Sequence, residues 1–127
     1  MTVALWCILI AIFLPYLCTA VAKASGGYRL KDNHDPRGFL DSLEGLGKRA
    51  NAAQLNSFEV TPAFAAAVIV AHLAGNAELV TINVLSVLFI TSRLLYIIFY
   101  LTDLAVLRSL MWFVGMGLIV SFFVVSA

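Results

Sequence analysis

The sequence predicts an all-α membrane protein, an up-down bundle of four transmembrane helices. Three observations carry that expectation. Hydrophobic residues make up 62% of the 127 positions and charged residues only 12%, with a mean hydropathy of +0.99. So little polar surface cannot cover a fold in water, and lipid is the solvent that suits it. Four long apolar runs follow one another along the chain, and the basic residues gather almost entirely between the first and second of them.

The first run, Val3 to Ala22, holds 20 residues without a charge, enough to cross a hydrocarbon core of about 30 Å. A secretory leader would carry a basic start. Met1-Thr2-Val3-Ala4-Leu5 has none, so a retained helix over about 2–22 is expected. Cys7 and Cys18 both lie in this run. Eleven residues of helix separate them by about 16 Å, too far for a disulfide, and they read as small packing residues. A polar loop over about 23–38 follows, with Ser25-Gly26-Gly27 and Asn33-His34-Asp35-Pro36-Arg37 breaking helix.

From Phe39 the apolar spacing is helical again and predicts one helix over 39–75, with Pro62 tolerated inside it. Gly75-Asn76 reads as a tight turn. A third helix over 78–102 carries a single internal charge, Arg93, and a fourth over 107–126 begins at Arg108. The whole chain, 1–127, reads as one membrane domain. The first connection holds Lys23, Arg29, Lys31, Arg37, Lys48 and Arg49, while the second holds no basic residue. The positive-inside rule then places the first and third connections in the cytoplasm and both termini outside. A net charge of +1 gives no basic stripe for nucleic acid, and no metal-ligand cluster is visible.

Charges inside a span are costly and point to function or to pairing. Glu59 stands 17 residues before Asn76 and Arg93 17 residues after it, so an antiparallel hairpin brings them to one depth. Arg49, Asn56 and Glu59 share one face of the second helix; Arg93, Tyr96 and Tyr100 share one face of the third. Together with Arg108 they outline a polar pocket open to the cytoplasmic interface. The alternative is a buried Glu59–Arg93 ion pair that fixes helix register. Ala63, Ala67 and Ala71 repeat every fourth residue, a spacing that suits close helix packing within or between subunits. His34 and His72 read as solvated, and Glu78 and Asp103 as helix-end markers.

The run from Arg49 to Pro62, with its core Ala53-Gln54-x-Asn56-x-x-Glu59-x-x-Pro62, resembles the second-helix motif of the MAPEG family, the membrane-associated proteins of eicosanoid and glutathione metabolism. Arg93-x-x-Tyr96-x-x-x-Tyr100 is similar to the third-helix motif of its eicosanoid-forming members, and Arg108-Ser109 to the pair that opens the fourth helix in some of them. The Asn33 to Arg37 run resembles that of small bacterial members. The resemblance implies a homotrimer with glutathione as cosubstrate, held by Arg49, Asn56, Glu59, Arg93, Tyr96 and Tyr100 near the cytoplasmic side between subunits. It makes Arg108 the catalytic residue, stabilising the thiolate for attack on a small hydrophobic electrophile or a hydroperoxide. A bacterial inner membrane would place both termini in the periplasm. Two departures are visible: Ala52 stands where the eicosanoid enzymes carry arginine, with Arg49 one turn earlier as the nearest substitute, and Arg108 stands one residue later than the matching arginine of one eicosanoid-forming member. Two other readings are a non-catalytic scaffold of the same fold and a small four-helix transporter. The small multidrug-resistance type of transporter carries its essential acid in the first helix, and here that helix has none.

Overall fold

A computed structural model describes all residues, Met1–Ala127. It holds four long helices: α1 (Val3–Gly26), α3 (Gly45–Ala74), α4 (Leu79–Leu101) and α5 (Ala105–Ser126). A 3₁₀ turn over Leu30–His34 and a six-residue helix, α2 (Pro36–Asp41), fill the first connection. All four long helices are long and apolar enough to cross a membrane, and the protein is an integral, multi-pass membrane protein. At 30 residues, α3 runs to about 45 Å, so it is longer than the hydrocarbon core and its ends project.

Helix ends follow the local sequence. Thr2 Oγ1 accepts from the Leu5 backbone N–H at 3.3 Å and caps α1. Gly27 ends α1 in the left-handed region at φ 69°, and Tyr28 N–H closes back on the Lys23 carbonyl at 3.0 Å. Gly75 does the same for α3 at φ 70°. In α2, Pro36 follows the cap residue Asp35, whose Oδ1 accepts from Gly38 N–H at 3.0 Å.

The single helix expected over 39–75 is broken. Ser42, Leu43 and Glu44 leave the helical path, and Gly45 restarts the chain at φ 57°. Packing accounts for the break. Leu43 turns inward to join Ala22, Leu40 and Ala50 in a small apolar cluster. Gly26 lies so close beneath it that a Cβ there would overlap the Leu43 side chain. The first connection is thus folded down onto the ends of α1 and α3.

The central pair is α3 and α4, which touch each other, while both α1 and α5 pack against the two of them. The most extensive seam joins α1 to α3. The buried residues of these two helices are mostly small: Ala4, Cys7, Ala11, Cys18 and Ala22 on α1, and Gly47, Ala50, Ala53, Ser57, Ala67 and Ala71 on α3. Small side chains let helix backbones approach closely in lipid. Both cysteines are free and buried in their helix. Of the alanine stripe, Ala67 and Ala71 are spent inside this core, while Ala63 stays exposed.

Hydrogen bonds fix the topology. Thr2 Oγ1 and His72 Nε2 lie 3.1 Å apart, the Ala4 N–H donates to Asn83 Oδ1 at 3.0 Å, and Asn76 Nδ2 donates to the Ser126 carbonyl at 3.1 Å. Both chain termini and the Gly75–Glu78 turn therefore share one end of the bundle. The basic first connection and the Thr102–Leu104 link share the other. His72, expected to be solvated, instead ties α3 to the start of α1.

Candidate functional site

The polar residues singled out in the sequence lie in the half of the bundle toward the basic connection. Arg93 is the deepest, at 2% exposure. Its Nη2 donates to Asn56 Oδ1 at 2.8 Å, and Asn56 Nδ2 in turn donates to Glu59 Oε2 at 3.3 Å. The direct Glu59–Arg93 ion pair does not form; the one ion pair of the chain is Lys48–Glu44 at 3.7 Å. The reason is rotational. The buried face of α3 runs through Ala53, Ser57, Val60, Phe64 and Ala67, and Glu59 lies off that face, exposed on the subunit's flank. Asn56 sits at the border and bridges the two.

Arg93 has a second unusual feature. Its Nη1 is buried without any hydrogen-bond partner. An unsatisfied charged donor in a low-dielectric interior is expensive, so the position asks for an acceptor that this chain does not supply. Gln54 Oε1, two residues before Asn56, is likewise buried without a partner.

From Arg93 a ladder of cations and rings leads to α5. The Arg93 guanidinium lies over the Tyr96 ring, 4.1 Å from its centroid. Tyr96 and Tyr100 meet edge to face, with ring centroids 5.6 Å apart. The Arg108 guanidinium lies over Tyr100 at 4.4 Å. One helical turn sets this order: Arg93, Tyr96 and Tyr100 recur at three and four residues along α4, and Arg108 stands in the first turns of α5 just beyond the link. Beside the ladder opens a cleft of about 140 Å³ lined by Tyr96, Arg108, Ser109, Trp112 and Phe113. Arg49 is turned to the end of α4, where its Nε donates to the Leu101 carbonyl at 3.2 Å.

The structure therefore brings Asn56, Glu59, Arg93, Tyr96, Tyr100 and Arg108 into one connected series, with Arg49 alongside at the helix end. The sequence reading missed the two aromatic walls, Trp112 and Phe113. Trp112 follows Arg108 by four residues and so shares its helix face; that spacing was the available signal. Chemically the site pairs two fixed cations with aromatic surface. It suits a ligand that joins anionic groups to an apolar part.

These features define a four-span membrane protein with a cationic, aromatic-walled site near one end of its bundle. The chain belongs to the MAPEG family, whose model matches residues 3–127. No curated protein and no solved structure matches it.

Proposed function

We propose that this protein is a glutathione-dependent membrane enzyme, a transferase or peroxidase acting on a small hydrophobic electrophile or hydroperoxide. The observation that carries this reading is Arg93: a buried guanidinium with no carboxylate partner and a free Nη1. The family includes glutathione-dependent enzymes, and the tripeptide offers the carboxylates that such a donor lacks. Arginine binds carboxylate through paired, charge-assisted hydrogen bonds. Arg49 keeps its two Nη groups available for the same purpose. Glu59, whose carboxylate is engaged only by Asn56, suits the γ-glutamyl ammonium, and Tyr96 walls the site.

Arg108 is the catalytic residue in this reading. A free thiol titrates near pH 8.5, and a fixed guanidinium beside it raises the thiolate fraction at neutral pH. A bound thiolate supplies the nucleophile for addition to an electrophile or reduction of a peroxide. Trp112 and Phe113 offer the apolar wall against which such a co-reactant packs. The proposal extends to a homotrimer in a bacterial inner membrane with both termini periplasmic. Glu59 supports the trimer, because a charge exposed on the flank of a span is costly in lipid and calls for a neighbouring subunit. A non-catalytic scaffold is the second reading, favoured by Ala52 in place of the arginine of the eicosanoid enzymes.

Turnover with an aryl halide and an organic hydroperoxide, measured on detergent-purified protein, tests the proposal. Arg108→Ala should lower kcat and kcat/KM together while leaving glutathione binding largely intact, the signature of a contact made in the transition state. A well-folded wild-type protein without turnover on either substrate would favour the scaffold.

A further inference from the structure

The geometry points to Tyr100 as a positioning residue: the face of its ring, rather than its hydroxyl, sets where the Arg108 guanidinium sits. This inference rests on the glutathione reading and gives Tyr100 a different role from the one that family resemblance implies, which is to hold the tripeptide. Arg108 is half-buried at the start of α5. It has no ion pair within the chain, and its side chain makes no hydrogen bond there; it rests instead over the Tyr100 ring, 4.4 Å from the centroid. A guanidinium is drawn to the face of an aromatic ring by the ring's quadrupole, and the attraction grows as water is excluded. A flexible arginine with no carboxylate to anchor it is thereby held in one place at the mouth of the cleft.

The ring itself is braced from below. Tyr100 meets Tyr96 edge to face, and Tyr96 carries Arg93 on its own face at 4.1 Å. The two cations of the site therefore hang on one tyrosine pair, a helical turn apart on α4. The link between α4 and α5 adds to the constraint. Asp103 takes the left-handed region at φ 61°, Leu104 N–H closes on the Phe99 carbonyl at 2.8 Å, and Arg108 N–H on the Leu104 carbonyl at 2.9 Å. The backbone of Arg108 is thus set by a tight turn and its side chain by a ring. The electrostatic work belongs to Arg108; Tyr100 acts through it.

Ring face and hydroxyl make opposite predictions. Tyr100→Phe keeps the face and loses the hydroxyl, so turnover should stay within about threefold of wild type, with an unchanged KM for glutathione and an unchanged acid limb of kcat/KM against pH. Tyr100→Leu keeps bulk and loses the face. Its kcat should fall about tenfold, with the acid limb moving up by about one pH unit as the thiolate loses its fixed cation. Tyr100→Trp, which offers the strongest ring face, should keep the wild-type acid limb and gives a second comparison should the leucine variant fold poorly. Thiolate absorbance on mixing with glutathione at fixed pH follows the same order without any second substrate. A Tyr100→Phe protein with a raised glutathione KM or a shifted acid limb would overturn the inference while leaving the glutathione reading standing. Wild-type protein that neither binds glutathione nor forms thiolate would overturn both.

Discussion

The two ends of this bundle solve the problem of burial in different ways. Toward the termini the interior is a continuous apolar cluster in which Phe64 and Phe89 stack at 4.0 Å and Phe122 meets Phe64 edge to face at 6.0 Å. Ser86 spends its hydroxyl on its own helix's Ile82 carbonyl, and the one buried side-chain polar atom left without a partner there is the neutral Ser126 Oγ. Toward the basic connection the interior holds a charge, Arg93, with an open donor and no carboxylate. One end leaves a single neutral hydroxyl unpaired, and the other leaves a charged donor and an amide oxygen unpaired. Packing holds the first, and the second keeps a cost that a ligand or a neighbour can relieve.

Breaking the apolar end should have the largest effect on stability. Phe64→Ala removes a ring at 0% exposure and should cost about 3–5 kcal/mol, read from denaturant unfolding in detergent. Glutathione affinity of the protein that remains folded should be unchanged. Gly75→Ala places a side chain at φ 70° and should cost about 1–2 kcal/mol, seen in the same titration as a shifted midpoint with an unchanged slope. At the open end, Glu59→Gln should cost less than about 1.5 kcal/mol, since only the Asn56 hydrogen bond is lost. A loss of about 3–5 kcal/mol would reveal a buried ion pair formed across a subunit boundary. Arg93→Met should have the smallest net effect on stability, within about 1 kcal/mol of wild type, because the lost hydrogen bond to Asn56 is offset by removal of a buried charge that lacks an ionic partner.

Much of the apolar end was legible in the sequence. The four spans, the turn at Gly75 and the packing role of Cys7 and Cys18 follow from apolar run length and residue size, which local pattern records directly. The break at Ser42–Glu44 was not legible. Apolar spacing continues across it, and only the tertiary fit of Leu43 over Gly26 turns the chain aside. At the open end the residues were legible but their pairing was not. Counting from a hairpin turn gives depth, and it placed Glu59 level with Arg93. Which residue faces the partner depends on helix rotation, and rotation gave the contact to Asn56. The His72–Thr2 contact was hidden for the same reason: it joins residues 70 positions apart, a distance no local pattern reaches.

The central claim is that the buried Arg93 is a ligand-binding group rather than a structural one. Glutathione titrated by calorimetry into detergent-purified wild-type protein and Arg93→Met tests it most directly. The account predicts saturable heat with wild type and binding weakened about tenfold or more in the variant, a loss typical of a charge-assisted contact, with the variant as stable as wild type. Equal glutathione affinity in the two proteins, or no binding to either while both remain folded, would contradict it.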